Sequence, residues 1–346
     1  MWLVAPVSLI LVAVLAYGLY HAVDVFLTAE NPGKKPVSGQ DNVKTTVTAL
    51  TLVGAVLAGL YAYRKQLLDE GASHRADATQ LAERYTKAAE QLGHDQAAVR
   101  LAGVYAMARL ADDWQEQRQV CINVLCAYLR MPYETDTGAE GYVKGEREVR
   151  LTIIRTIRDH LQNPTAATTW CDYSLDFTGA VFDGGDFVGA RFSGGRVIFR
   201  GARFSGDAVD FSGARFSGGD VVDFCGARFS SGMVDFNDVT FSNDIVGFTG
   251  ARFSGGSVYF GGARFVQCSL VDFEGAAFSG SDVHFGGASL DSSRVDFIGA
   301  RFSAGSVDFD GARFSSGSRV NFTNARIHAA CTIDWGSLPT IPVNRP

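Results

Sequence analysis

Two long runs of uncharged, mostly apolar residues occupy the first part of the chain. The first extends from Trp2 to Tyr20, and the second extends from Thr45 to Tyr63. Each run has about the length that an α-helix needs to cross the hydrocarbon core of a bilayer. We therefore predict two transmembrane helices, at about residues 2–23 and 45–63, which form a helical hairpin and anchor the protein in the lipid bilayer.

A cleaved signal peptide is the competing interpretation of the first run. A signal peptide has a basic segment before a shorter apolar core, whereas residues 1–8 contain neither Lys nor Arg. Basic residues flank the second run on both sides, so the positive-inside rule gives nearly a tie. Because Arg64 and Lys65 follow the second run directly, we expect a multi-pass protein of the cell membrane whose C-terminal part lies in the cytoplasm.

Helical periodicity follows, over about residues 64–165. Residues 64–92 are polar and rich in helix-forming residues, which indicates a stalk that ends at Gly93. Three later segments repeat apolar residues at helical spacing: 97–110, 114–130 and 146–161. In the last segment, Val149, Ile153 and Ile157 recur every four residues. We predict a small α-helical module with one apolar face on each helix.

The periodicity changes again over residues 171–335, where Phe dominates the pattern. Of the 25 Phe, 24 lie between Phe177 and Phe322, and Leu290 and Ile327 occupy two further expected Phe positions. In a stretch such as VDFIGARFSAG, Val or Ala stands two residues before each Phe, so the pair points to the same side of an extended segment. We predict a solenoid whose core is a ladder of Phe rings, with these members: Phe199, Phe204, Phe211, Phe216, Phe224, Phe229, Phe260, Phe265, Phe297 and Phe302.

The spacing of the Phe residues predicts the size of one coil. After Phe192, intervals of five residues alternate with intervals of seven, and the longer interval becomes eight after Phe216, Phe265 and Phe314. These three positions are 49 residues apart, which is two coils if one coil holds four Phe. We therefore predict about 24 residues in each coil and about six coils, with the extra residues on one side of the rod.

Ala-x-Phe units at a spacing of five resemble the pentapeptide-repeat family, whose unit is Ala-(Asp/Asn)-Leu-x-x with a central Leu or Phe. The resemblance covers about Leu175 to Ile327, and the segment DFTGAVFDGGDFVGARFSGG keeps the strict spacing. It implies a right-handed, four-sided parallel β-helix with one unit on each side, here in a membrane-anchored bacterial member of the family. Because the later intervals are longer, we expect a small Ser- and Gly-rich bulge at two corners of each coil.

The predicted fold is therefore mixed and has three parts. Residues 1–63 form the transmembrane helical hairpin, residues 64–165 form the helical stalk and module, and residues 171–335 form the right-handed quadrilateral parallel β-helix, a pentapeptide-repeat solenoid.

Composition and motifs exclude most catalytic functions. The six His are scattered, and the chain has no Walker loop, no Gly-rich dinucleotide fingerprint and no calcium-binding nonapeptide repeat. The six Cys form no C-x-x-C and have no metal-ligand spacing, which favours free thiols in a reducing compartment over disulfides. We predict no catalytic residue, no cofactor and no metal site.

Charged residues precede the Phe residues and point outward. Asp stands before the first Phe of most units, and Arg stands before the second. One interpretation is a pair of solvated stripes that offset each other, and the other is a docking face for an acidic partner. The predicted docking face consists of Arg203, Arg215, Arg228, Arg252, Arg264, Arg301 and Arg313.

These features favour a membrane-anchored, non-catalytic scaffold that binds an unidentified protein partner. The alternative comes from the family resemblance, since some pentapeptide-repeat proteins mimic DNA and act on a topoisomerase such as gyrase. From Cys171 onward the chain has 14 Arg against 19 Asp and Glu, which is a weakly acidic balance for a DNA mimic. We expect no direct binding of nucleic acid. The resemblance also implies that a homodimer can form, because members of this family can associate end to end.

Overall fold

A computed structural model describes residues 14, 17–26, 29, 39–219, 221–291, 294–315 and 318–336. The chain divides into two compact units, Met1–Gln80 and Leu81–Pro346.

The first unit contains one helix that is long and apolar enough to cross a membrane. Helix α1 extends over Gly39–Leu92, and its segment Val43–Leu68 has a mean hydropathy of 1.7. Most of the first predicted span, residues 2–23, lies outside the described residues, although residues 17–26 are helical. In the described part of the chain the structure thus has one candidate span, and the predicted hairpin of two spans is not supported.

Three further α-helices form the predicted helical module. They are α2 (Ala97–Asp113), α3 (Arg118–Arg130) and α4 (Glu146–His160), with a short 3₁₀ turn at Gln115–Gln117. Each helix buries one apolar face, and the last turns of α1 pack against the same core through Leu81 and Tyr85.

Residues 175–334 form a parallel β-solenoid of about six coils, each with four sides, here named faces 1 to 4 in chain order. Face 1 is a sheet of β1 (Leu175–Asp176), β5 (Val197–Ile198), β9 (Val221–Asp223), β13 (Ile245–Gly247), β17 (Leu270–Asp272), β20 (Arg294–Asp296) and β23 (Arg319–Asn321). Face 4 is a sheet of β4 (Arg191–Phe192), β8 (Arg215–Ser217), β12 (Thr240–Ser242), β16 (Arg264–Val266), β19 (Ser289–Asp291) and β22 (Arg313–Phe314).

Faces 2 and 3 belong to one sheet, because two strands continue around the corner between them. These long strands are β18 (Ala277–His284) and β21 (Arg301–Asp308). Face 2 also contains β2 (Val181–Phe182), β6 (Arg203–Phe204), β10 (Arg228–Phe229), β14 (Arg252–Phe253) and β24 (Arg326–Ile327). Face 3 also contains β3 (Gly185–Asp186), β7 (Val209–Asp210), β11 (Met233–Asp235), β15 (Ser257–Tyr259) and β25 (Cys331–Asp334).

The Phe residues form four stacked columns inside the solenoid. In the column of face 2, for example, the ring centroids of Phe229 and Phe253 are 4.8 Å apart and the rings are nearly parallel, at 3°. Val and Ala residues fill the space beside the rings and are buried with them. Because each coil supplies only four rings, stacking is what removes their faces from water.

The corners explain the Gly in the repeated G-A-R-F segment. At the corner after Phe199, the Ala202 N–H donates to the Phe199 carbonyl oxygen over 3.0 Å, which closes a four-residue turn. Gly201 occupies the third position with φ of 63°, a conformation that Gly adopts without steric cost. The intervals of seven and eight residues lie at the other two corners, and those of eight all lie between faces 4 and 1. The predicted coil of about 24 residues is therefore confirmed by the strand register, in which Arg228 pairs with Arg252.

The helical module closes the N-terminal end of the solenoid. Helices α3 and α4 pack against β1 and β3, and a single hydrophobic core continues from the helices through Trp170 into the Phe columns. The boundary expected near residue 165 is thus a change of secondary structure within one compact unit, Leu81–Pro346.

Candidate functional site

The seven arginines of the predicted docking face do not form one surface. The predicted arginines occupy two of the four sides of the coil, faces 2 and 4, which lie opposite each other. Face 2 carries Arg203, Arg228, Arg252 and Arg301, together with Arg326. Face 4 carries Arg215, Arg264 and Arg313, together with Arg191. The interpretation of these residues as one docking face is therefore corrected to two separate columns.

The column on face 2 is the more continuous of the two. Arg203, Arg228 and Arg252 are direct register neighbours on three successive coils. Ala277 interrupts the column once, and Arg301 and Arg326 then continue it. On face 4, by contrast, no two successive coils after Arg215 both carry Arg, because Thr240 and Ser289 alternate with the arginines.

The five arginines of face 2 are exposed and unpaired in the described part of the chain. None of them forms an ion pair or a side-chain hydrogen bond with another described residue. A parallel column of Ser hydroxyls runs beside them, and these donate to Phe carbonyl oxygens of the preceding coil, as Ser230 does to Phe204 over 3.3 Å. Like charges at the spacing of one coil repel each other, so this column is a surface that an anionic partner would stabilise.

The Asp residues that precede the first Phe of each unit have a local structural role that the sequence interpretation missed. The Asp235 Oδ1 accepts a hydrogen bond from the Asn237 N–H over 2.7 Å, and Asp210 and Asp308 accept in the same way from the N–H two residues later. These bonds are Asx turns, which hold the corner that follows. The sequence does contain a local signal for these turns, because each one has an Asp two residues before the residue whose N–H donates.

On face 1 the Asp side chains are also neutralised by cations. The Asp223 carboxylate is nearly buried and accepts from Arg200 Nη2 over 2.6 Å and from Nε over 2.9 Å. The Asp296 carboxylate, buried to a similar degree, accepts from Arg294 Nε over 2.7 Å. Faces 1 and 3 therefore differ: on face 1 several carboxylates are already paired within the chain.

On face 3 the Asp column is interrupted by two aromatic side chains. Tyr259 and His284 occupy adjacent coils at the Asp positions, and their rings stack 5.0 Å apart at an angle of 8°. The His284 Nδ1 lies 3.7 Å from the Asp308 Oδ2, on the next coil. Face 3 thus presents three carboxylates, two stacked rings and two further carboxylates in one column.

Electrostatics at the capped end hold one carboxylate in its charged form. Burial acts to raise the pKa of the Asp176 carboxyl, but hydrogen bonds from Thr178 and the charge of Arg130 outweigh it and lower the pKa below its usual value. The Arg130 Nη1 donates to the Asp176 Oδ2 over 2.6 Å and to the Asp176 carbonyl oxygen over 3.0 Å. This pair fastens α3 to the first coil.

The thiols are buried and poorly reactive. All six Cys are free, and five of them are buried. Desolvation raises the pKa of Cys121 and Cys268 to about 11 and that of Cys126 to about 12. Because the thiolate is the nucleophilic form, these residues have the character of core side chains.

Two open cavities border the helical module. One, of about 340 Å³, is lined by Arg100, Tyr128 and Glu146 among others, and another, of about 410 Å³, lies between α4 and face 3 beside Arg147 and Asp207. Among the residues that the structure describes, no cluster of three or more His, Cys, Asp or Glu could hold a metal ion. The ten Phe residues of the predicted core ladder are all buried in the columns.

Comparison with known proteins agrees with the repeat geometry. The family model for pentapeptide repeats (9 copies) matches residues 171–215, where the five-residue spacing is most regular. Neither the search of curated proteins nor the search of solved structures gave a match. Four-sided coils, Ala-x-Phe pairs on faces 2 and 4 and this match together make the chain a pentapeptide-repeat protein.

Proposed function

We propose that this protein is a non-catalytic scaffold that presents the Arg column of face 2 to an acidic protein partner. The observation that carries the proposal is the contrast between the two signs of charge. The Asp side chains are used by turns and by ion pairs within the chain, whereas the five Arg of face 2 are exposed and unpaired in the described part. Flat, regular solenoid surfaces without a reactive centre are typical of binding modules.

A membrane anchor is the second part of the proposal. The segment Val43–Leu68 of α1 is apolar, and its large side chains such as Leu52 and Leu57 are exposed. A long helix with exposed apolar side chains is suited to lipid, because water would be a poor solvent for it. We propose that this segment and the apolar run before it hold the solenoid at the cytoplasmic side of a membrane.

The DNA-mimic alternative requires a continuous acidic surface. The carboxylates of face 1 that would supply it are partly neutralised by Arg200 and Arg294, and the column of face 3 is interrupted by Tyr259 and His284. The exposed Arg columns of faces 2 and 4 would also repel a protein surface that binds DNA. Binding of an acidic protein is therefore the function that we favour.

Two matched variants test the docking surface. The first replaces Arg203, Arg228, Arg252 and Arg301 of face 2 with Ala, and the second replaces Arg191, Arg215, Arg264 and Arg313 of face 4 with Ala. Both remove four positive charges from the outside of the solenoid, where only Arg191 of the eight is half-buried and the others are exposed. Their melting temperatures should therefore stay close to that of the parent. We expect cross-linking in membranes, followed by quantitative mass spectrometry, to lose the acidic partner from the face 2 variant only. Equal capture by both variants would refute the proposed docking surface.

A further inference from the structure

We propose that the Arg column of face 2 also binds a second copy of this chain, through the column of face 3 on that copy. The two solenoids would lie side by side, in parallel and with their coils level. This inference rests on the proposed function, because it names one partner for the same Arg column. The proposed contact is lateral: it joins the long side of one solenoid to the long side of the next.

The two columns match position by position on the later coils. From the third coil to the last, the residues at equal level on faces 2 and 3 are Arg228 with Asp235, Arg252 with Tyr259, Ala277 with His284, Arg301 with Asp308 and Arg326 with Asp334. Three of these pairs join opposite charges, and Arg252 with Tyr259 is a cation–π pair. Among these five levels, the one that lacks Arg on face 2 carries His284 on face 3, so each Asp of face 3 at these levels faces an Arg.

The atoms needed for the contact are available. Each Asp of face 3 uses one carboxylate oxygen for its Asx turn. The Asp235 Oδ1 accepts from the Asn237 N–H, and the Asp334 Oδ1 accepts from the Gly336 N–H over 3.0 Å. The other oxygen, Oδ2, makes no hydrogen bond with a described residue in Asp235 or Asp334. It can therefore accept from a guanidinium of a neighbouring copy without disturbing the corner.

A common repeat distance keeps the two columns in register. Neighbouring coils of this chain are separated by the distance between parallel strands. A second copy has the same sequence and therefore the same spacing. Another solenoid of this sequence therefore matches the column coil by coil.

The first two coils are excluded from the contact by the helical module. Arg147 of α4 pairs with Asp207, and Arg158 of α4 pairs with Asp186 over 2.8 Å, so this helix flanks the beginning of face 3. The later coils remain open for contact, beginning with the level of Arg228 and Asp235.

The position of the two faces predicts a closed assembly. Faces 2 and 3 are neighbours around a four-sided coil, so each copy that docks is turned by about a quarter turn from the one before. Four such steps return to the first copy and use every face 2 and every face 3, which gives a ring with fourfold symmetry. The corner that β18 and β21 cross would point toward the ring axis.

A charge-swap experiment with the full chain in detergent tests this assembly. One variant carries Arg228→Glu and Arg301→Glu, and the other carries Asp235→Arg and Asp308→Arg. Each variant alone places like charges against each other, whereas an equal mixture restores opposite charges at both kinds of contact. We expect native mass spectrometry to show tetramers for the parent at about 50 mM salt and their loss at about 500 mM, where screening is much stronger.

The expected result is monomers for each variant alone and tetramers with two copies of each variant in the mixture. Asp235→Asn with Asp308→Asn is the folding control, because the amide oxygen keeps the Asx turn while the charge is lost; this variant should be folded and monomeric. Arg264→Glu with Arg313→Glu on face 4 should assemble like the parent. Monomers of the parent at low salt, or tetramers of the face 2 variant alone, would overturn the lateral assembly. Such a result would not bear on the acidic partner, because its capture is measured separately with the Arg→Ala variants.

Discussion

The side chain of Gln119 and the backbone of Ser174 exchange two hydrogen bonds. The Gln119 Nε2 donates to the Ser174 carbonyl oxygen and the Ser174 N–H donates to the Gln119 Oε1, each over 2.9 Å. A side-chain amide offers the donor and acceptor of a peptide group, so Gln119 takes the place of a strand before the first coil. Arg130 and Gln162 bind other carbonyls of that coil, and the helical module thus covers an edge where another chain could add a strand.

Replacing Gln119 with Ala should destabilise the capped end. The substitution leaves an N–H and a carbonyl of Ser174 without partners in a partly buried site, which costs about 1–3 kcal/mol. Denaturant unfolding of the full chain measures the loss. Gln115→Ala is the matched control, since Gln115 is exposed in the 3₁₀ turn just before α3. An equal effect of the two substitutions would show that the cap does not depend on this pair.

Phe260 should be among the residues whose loss is most costly. Its ring is fully buried and stacks between Phe236, at 5.0 Å, and Phe285, at 4.8 Å. Phe260→Ala removes a ring from the middle of a column that cannot collapse without shortening the coil, so we expect a loss of about 3–5 kcal/mol. Tyr259→Ala, at the adjacent outward position, should cost much less. Similar melting temperatures for the two variants would mean that Phe260 does not point inward and Tyr259 does not point outward.

The Phe columns could be predicted from the sequence because the pattern that creates them is local. A small residue two positions before each Phe identifies the inward side, and the recurrent eight-residue interval identifies the coil length. The distribution of Arg over the faces was harder, because Arg215 lies between Arg203 and Arg228 in the chain but on the opposite face. Arginines stack only with those on the same face, and the predicted docking face combined two columns.

The helical cap had no sequence signal of this kind. Arg130 and Asp176 are 46 residues apart, and Gln119 and Ser174 are 55 residues apart. Single polar contacts over such distances leave no periodicity, so the helices and the solenoid appeared as separate parts. The Asx turns did have a local signal, but an Asp that recurs on the outside of a solenoid is equally typical of a solvated stripe.

The contact between Arg130 and Asp176 predicts a dependence of stability on pH. The pKa of Asp176 is lower in the folded protein than in the unfolded chain, where it is about 3.9. The charged carboxyl therefore stabilises the fold above that value, and its contribution is lost as the pH falls through the folded pKa. Because Asp176 is 43% exposed, solvent screening keeps the effect small.

We expect Arg130→Gln to move the midpoint of acid unfolding to higher pH, as measured by circular dichroism. In the background of Asp176→Asn, the same substitution should leave the acid midpoint nearly unchanged, since no carboxylate remains to lose its partner. A shift of equal size in both backgrounds would mean that Arg130 acts through the Asp176 carbonyl oxygen alone.

Membrane topology distinguishes one span from two. Fusions of a fluorescent protein and of alkaline phosphatase to each end of the chain report the side on which that end lies. If α1 and the preceding apolar run both cross the membrane, the two ends lie on the same side, and we expect fluorescence without phosphatase activity at both. Ends on opposite sides would leave α1 as the single span. Phosphatase activity at the C-terminus would place the solenoid outside the cytoplasm, and the acidic partner would have to be sought in the cell envelope.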